Sequence, residues 1–244
     1  MSRMLVLFKR ETTSQFLSPT SWVLLFLVWL VHGILFRWVI IPATPGDIMY
    51  MTWRSAGMAL WVQLFLVPLQ TMRLISEEKR TGTFEMLVTT PARDHEIVLA
   101  KFSGALLFNA IVWLVLPAHA VIISKSGGNP SMGPVWCSYL AVVATGALYI
   151  AIGLVASALT RHQILAAFLT VVLLILVGVA PMMWSLIPES WPTLRAVIRS
   201  GDLNLQLEEA ARGLLDLVHL TYKIAFGGLF LLYTTRILEA RKWA

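Results

Sequence analysis

Residue types that carry chemistry are scarce in this chain, and where they are missing is informative. No G-x-x-x-x-G-K-[ST] run occurs, so the chain by itself cannot cradle nucleotide phosphates on a glycine-rich loop. Neither H-E-x-x-H nor G-x-S-x-G is present, which removes the common metalloprotease and serine-hydrolase arrangements. Cys137 is the single cysteine, so no intramolecular disulfide and no cysteine-based metal site can form. Met49, Met51, Met58 and the pair Met182-Met183 could serve as soft ligands for Cu(I), yet methionine in apolar surroundings is usually filler. His32 and His119 are the only ionisable candidates inside long apolar runs. Such a histidine, like Gln63, Gln70 and Asn109, ordinarily hydrogen-bonds a neighbouring helix. No catalytic, cofactor-binding or metal residue is assigned, and the chain is not expected to be an enzyme on its own.

The richest segment is Met72–Phe102, MRLISEEKRTGTFEMLVTTPARDHEIVLAKF. An apolar run ends there in the charged patch Glu77-Glu78-Lys79-Arg80. Gly82 breaks the helix, and Thr83 can cap a new one by accepting from its first free N–H groups. Glu85 falls in the first turn, where the helix dipole favours an acid. Phe84, Leu87 and Val88 share one helical face at i, i+3, i+4 spacing. Thr89-Thr90-Pro91 ends this short helix, and Asp94 is placed to cap the next long one, with Glu96 in its first turn. An apolar stripe of this kind can rest on lipid headgroups or dock in a partner's groove. Spacing alone supports both.

The elements that hold this segment follow from composition. Of 244 residues, 58% are hydrophobic and only 13% charged, against about 25% charged in a soluble domain. A soluble surface cannot be solvated by so little charge, and disorder is excluded by so much apolar surface. Six apolar runs near the ~20 residues needed to span a bilayer lie at about Trp22–Ile41, Ala56–Leu74, Ile97–Ile123, Val135–Leu159, Ile164–Trp184 and His219–Leu238. Backbone groups in hydrocarbon must be satisfied within the segment, so these are helices, bent at Pro68 and Pro117. No Asp or Glu lies within the runs, and Lys101, Lys223, Arg37, Arg73 and Arg236 are near enough to the ends to snorkel. Ion-coupled transport, which uses intramembrane acids, is thereby disfavoured.

Six spans place both termini on one side, and that side carries twelve of the nineteen Lys and Arg residues. The positive-inside rule makes it cytoplasmic, which explains the net charge of +6 without any nucleic acid. The N-terminal run is too short for a cleavable signal. It reads instead as an interfacial amphipathic helix carrying Met4, Leu5, Phe8 and Phe16 on one face, up to the Ser18-Pro19 turn. Residues 185–218 read as an external amphipathic segment interrupted at Gly201. The expected fold class is an all-α polytopic integral membrane protein of six transmembrane helices, both termini cytoplasmic, with a short coupling helix between spans two and three.

The Met72–Phe102 segment resembles the signature of type-2 ATP-binding-cassette (ABC) permeases, E-x-x-x-G-T-x-E-x-L-x-x-x-P followed by I-V-L-G-K-F. The matching positions are Glu78, Gly82, Thr83, Glu85, Leu87 and Pro91, then Ile97, Val98, Leu99, Lys101 and Phe102, with Ala100 in place of the glycine. Three further islands agree. They are Lys9-Arg10-Glu11 with Ser18-Pro19, GLVASALTRHQILAAF at 153–168, and GLLDL at 213–217 leading to the RILEARKW tail. The combination is similar to the branch of gliding-motility permeases and of the copper-maturation permease of nitrous-oxide reductase.

That resemblance implies a single permease domain over residues 1–244, with an interfacial elbow at 1–18 and a cytoplasmic coupling segment at 76–96. It implies a half-transporter of exporter type in the prokaryotic cytoplasmic (inner) membrane, dimerising with a second permease copy, with spans two and five lining the dimer interface. ATP and Mg would be bound by a separate cytoplasmic ABC ATPase subunit. By carry-over, Phe84, Glu85, Leu87 and Val88 form the docking face. Glu77, Glu78, Lys79, Arg80, Gly82 and Thr83 form the coupling junction, and Thr160, Arg161, His162 and Gln163 a lesser contact. Membrane lipid and an extracytoplasmic accessory protein are the other partners in view, with no nucleic acid. The competing readings are a non-transporting anchor that transmits ATPase work to the outer face, and an ATP-independent secondary transporter or channel.

Overall fold

The computed structural model describes residues 3–40, 48–83 and 93–240. Among these the chain is all-helical, and six helical segments are long and apolar enough to cross a membrane. They run Pro19–Trp38, Met51–Thr81, Asp94–Lys125, Met132–Leu159, Gln163–Leu186 and Leu217–Ala240, in the order and number that the apolar runs require. An even number of crossings leaves both ends of the chain on one side, here termed the terminal side, the other being the far side.

In chain order, α1 (Arg3–Leu17) precedes the first span, α2 (Pro19–Leu35), which continues through a looser π turn at Phe36–Ile40. The second span is α3 (Ile48–Thr71) with a short outlying helix, α4 (Ser76–Thr81). The third is split into α5 (Asp94–Val112) and α6 (Val115–Lys125). The fourth is α7 (Met132–Leu159), unbroken. The fifth begins as α8 (Gln163–Leu174) and passes through π and 3-10 turns to Leu186. On the far side follow α9 (Pro192–Ser200) and α10 (Leu203–Ala211), before α11 (Leu217–Ala240) returns as the sixth span.

The bundle is built around α7, which packs on α3, α5, α6, α8, α10 and α11. Its apolar window is 78% buried, against 17% for the last span. With lipid as solvent, burial is not driven by hydrophobicity but by close packing and polar contacts between helices, and α7 has the small residues for it. A Cβ on Gly153 would lie 2.2 Å from Thr71 Oγ1, and one on Gly146 would lie 2.3 Å from Asn109 Oδ1. Gln63 donates to the Val142 carbonyl at 2.9 Å and Gln70 to the Ala105 carbonyl at 2.7 Å, the interhelical role expected of them. Asn109 departs from that expectation: its amide meets Gly146 by packing, with no hydrogen-bond partner for either polar atom.

Pro117 breaks the third span as its missing N–H demands, and the consequences can be followed group by group. A proline cannot bond the carbonyl of residue i−4 and its ring crowds that residue; here that is Trp113, where α5 gives way to α6. Leu114 N–H turns to the Ile111 carbonyl (3.2 Å) and Leu116 N–H to the Trp113 carbonyl (3.1 Å). The carbonyls they would have bonded find side chains instead: Ala110 accepts from the Tyr139 hydroxyl at 3.0 Å and Val112 from Trp29 Nε1 at 2.9 Å. Pro68 behaves differently. The helix runs on through it to Thr71, and the turn at 72–75 lies beyond the reach of its ring.

Candidate functional site

The turn that ends α3 is closed by the neighbouring span. Ser157, near the end of α7, accepts from both Ile75 N–H and Ser76 N–H at 3.1 Å and lies 3.4 Å from the Met72 carbonyl. The Ser76 hydroxyl donates back to the same Met72 carbonyl. A single buried hydroxyl thus supplies the cap that the start of α4 lacks in its own sequence, where the cap position is Ile75 with no side-chain bond. α4 ends at Gly82 with φ of 77°, the left-handed stop that glycine adopts freely. The break expected at Gly82 is present. Thr83 turns its hydroxyl back onto this helix, 2.9 Å from the Thr81 hydroxyl and 3.4 Å from the Glu78 carbonyl.

The charged patch on α4 is divided between two neighbours. Adjacent helical residues point to different faces, so Glu78 and Lys79 part company. Lys79 is buried and donates to the Ala158 carbonyl at the end of α7. Glu78 faces the other way, its Oε1 2.7 Å from Lys101 Nζ on α5. Lys101 is 2% exposed and also meets Glu11 Oε2 on α1 at 3.2 Å. Arg10 completes the cluster at 2.8 Å from Glu11 and 3.6 Å from Glu78. Two cations and two carboxylates therefore neutralise one another where α1, α4 and α5 meet. Lys101 is the member held out of water, so removing it leaves two largely buried carboxylates without their buried cation, which is the strong form of a buried ion pair. Glu77 is half-buried and Arg80 exposed; they take no part in the cluster.

α1 sits close enough to α5 for this because of Gly104, where an added Cβ would come within 3.3 Å of Glu11 Cβ. Phe16 meets Phe108 edge-on at 5.7 Å between ring centroids, and Trp22 Nε1 donates to the Phe16 carbonyl at 2.8 Å. Arg73, at the turn, reaches Thr20 Oγ1 at 2.8 Å. The N-terminal helix expected to lie in the interface is thereby clamped to the first three spans through its polar side, while Met4, Leu5 and Val6 remain exposed. Lys101 corrects the expectation that it snorkels: it is held inward by two glutamates. Lys223 is likewise buried, its Nζ 3.5 Å from the Ala141 carbonyl, whereas Arg37 and Arg236 are exposed.

The third span starts one residue earlier than its expected cap. Asp94 is the first helical residue, Arg93 holds the cap position, and Glu96 accepts from Arg93 N–H at 2.9 Å. Between spans four and five, Thr160 is buried and its hydroxyl accepts from His162 N–H at 3.0 Å, with Arg161 exposed and Gln163 opening α8. The Lys79–Ala158 bond brings this turn beside α4, so the two groups of junction residues adjoin. The expected docking face, Phe84, Glu85, Leu87 and Val88, lies outside the described residues. Sequence reasoning missed Glu11, Arg10 and Ser157 as members of the junction. The available signal was a lysine within an apolar run and a glutamate on an interfacial helix, two charges that each need a partner.

The far side is built from other materials. His32 is fully buried, its Nε2 3.2 Å from the Ser55 carbonyl, and it stacks on His119 at 5.1 Å, which in turn stacks on Phe36 at 4.0 Å. The two histidines are thus not lone residues but part of one aromatic stack between the first and third spans. Met51 and Met58 pack with Phe36 and Ile123, while Met182 belongs to the main core and accepts from Asn204. Met51 and Met58 thus belong to a different cluster from Met182, and Met183 is exposed.

The sequence profile of the family described as ABC-2 family transporter protein matches residues 64–209. This stretch reaches from the middle of α3, through the junction and α7, to α10. No curated protein matches the chain significantly.

Proposed function

The chain belongs to the ABC-2 transporter family and is a transmembrane subunit that works with an ABC ATPase subunit; we propose that it couples ATP hydrolysis in that subunit to movement of its own spans. In this reading it dimerises with a second permease copy around a central pathway in a prokaryotic inner membrane, with the terminal side in the cytoplasm. The docking helix belongs to the coupling segment 76–96, with Phe84, Glu85, Leu87 and Val88 as its contact face and the Thr160–Gln163 turn as a lesser contact. The branch of gliding-motility and nitrous-oxide-reductase maturation permeases is the place in the family that its motifs favour.

The observation that carries this reading is the neutral ion cluster at the root of the docking segment. Glu78 leads into that segment from span two and Lys101 follows it in span three, and the two are bonded at 2.7 Å. Glu11 adds the elbow helix to the same knot. A push on 84–92 is then shared among α1, α4 and α5, which shift as one body, while Ser157 and Lys79 pass it to α7. Such rigid-body repacking is an established route for switching between two states. ATP and Mg stay with the partner, which alone supplies the nucleotide site.

Glu85→Lys and Leu87→Asp test the docking face. Both variants are expected to lose co-purification with the ATPase subunit encoded beside this chain, and to lose stimulation of its ATPase, without loss of the folded membrane bundle. Full association and transport by both would overturn the docking assignment.

A further inference from the structure

A second polar concavity lies on the far side, away from the junction and independent of the coupling reading. It is a pocket of about 630 Å³ between α9, α10 and the start of α11, with Trp184 in its wall. α9 is amphipathic in a specific sense. Arg195, Arg199 and Ser200 fall on the face that lines the pocket, whereas Leu194 (42% exposed) and Val197 (64%) point the other way, next to the exposed Trp191. In a chain that spans the bilayer, such a helix lies in the interface with its apolar face toward the acyl chains. Tryptophan at Trp184 and Trp191 belongs to the same headgroup level. The pocket therefore opens where phosphates and amines of the far leaflet are found.

Its walls are charged with both signs. The Arg195 and Arg199 guanidinium carbons lie 5.1 and 4.8 Å from the centre of the Trp184 ring, which fixes both cations on one wall. Arg195 is shared with the exposed Glu189 at 3.2 Å, and Arg199 meets no carboxylate among the described residues. From α10, Glu209 lines the same pocket and pairs with His219 Nε2 at 2.9 Å. The Trp184 edge is fixed as well, its Nε1 donating to Asp202 Oδ2 at 3.1 Å. Asp202 is buried and also caps α10 through Asn204 N–H at 2.9 Å, so the wall is anchored by a helix start.

We propose that this pocket binds the headgroup of a zwitterionic phospholipid of the phosphoethanolamine type. The phosphate takes the Arg195–Arg199 wall, where planar guanidinium forks match phosphate oxygens. The ammonium takes the Glu209 wall, to which it can donate hydrogen bonds. A choline headgroup fits less well, because a quaternary amine donates no hydrogen bond to Glu209, and the aromatic face it would seek on Trp184 is already covered by two arginines.

The test uses the full chain, delipidated in detergent and titrated with phosphatidylethanolamine, phosphatidylcholine and phosphatidylglycerol of matched acyl chains, with bound lipid counted by native mass spectrometry. Phosphatidylethanolamine is expected to occupy one site in preference to the other two. Arg199→Gln is expected to weaken it about tenfold, as loss of a charge-assisted hydrogen bond does, with Arg199→Lys recovering part of the affinity. Glu209→Gln is expected to erase the preference over phosphatidylcholine. Arg236→Gln removes an exposed arginine on the other side of the membrane and should change nothing; circular dichroism checks that each variant is folded. Equal binding by the parent chain and Arg199→Gln overturns the proposal. So does soluble O-phosphoethanolamine binding as tightly as the lipid, which would make the pocket a site for a free phosphate ester. Neither outcome touches the ATPase docking reading, which is measured separately.

Discussion

The two ends of this bundle solve the same problem, polar groups next to hydrocarbon, in opposite ways. At the terminal side, buried polar groups are bonded across helices: Lys101 to both Glu11 and Glu78, and Ser157 to the amides of both Ile75 and Ser76. At the far side, between spans one and three, burial is achieved by ring stacking through His32, His119 and Phe36, and the hydroxyls of Ser55 and Ser138 are buried without a hydrogen-bond partner among the described residues. A hydrogen-bonded charge cluster has few alternative geometries, so it transmits displacement; stacked rings and unbonded hydroxyls tolerate sliding.

Substitutions can break or sharpen this contrast. The largest effect is expected at Lys101. Lys101→Met strands two glutamates, and a loss of about 3–5 kcal/mol is expected, the usual cost of removing one partner from a buried pair, read as thermal unfolding in detergent. The triple change Glu11→Gln, Glu78→Gln, Lys101→Met should recover much of that stability, since the one charge left in the cluster, Arg10, is 51% exposed and stays in water. It should nevertheless leave ATPase stimulation impaired. Recovery of both stability and stimulation would detach the cluster from coupling.

Next comes Ser157→Ala, which leaves the amides of Ile75 and Ser76 without an acceptor; about 1–3 kcal/mol is expected, by the same thermal measurement. Its counterpart is Ser138→Ala at the far side. That hydroxyl is buried and unbonded, so its removal should shift stability by less than about 0.5 kcal/mol or raise it. Similar losses from the two serines would erase the distinction between the sides. The smallest effect is expected from Arg236→Ala, whose side chain is 79% exposed and pairs with Glu239 on its own helix. Such a surface pair contributes about 0.3–0.5 kcal/mol.

Much of the architecture was legible because lipid makes its demands locally. Each apolar run had to be a helix, whatever its neighbours, and all six appear. The Pro117 break was legible for the same reason, since a missing N–H acts within one turn. At Pro68 the helix continues, and the turn at 72–75, held by Ser157 from another span, left no local mark in the sequence. At the junction, the sequence marked Glu77–Arg80 as a charged cluster without revealing that Glu78 and Lys79 serve different spans. It placed Lys101 and Lys223 near the membrane surface, where long side chains can snorkel, and both are instead drawn into the bundle.

By itself, then, the sequence determined that this chain lives in a membrane, how many times it crosses, and which side collects its charge. Those properties follow from the cost of exposing backbone and charge to hydrocarbon, a cost settled residue by residue. Only the tertiary structure decided which charge meets which. Lys101 finds Glu11 from 90 residues away and Glu78 from 23 residues away, and Arg195 and Arg199 share a pocket with Glu209 from a separate helix. Pairings of that kind leave no periodicity in the chain, because they depend on how helices pack and not on how they form.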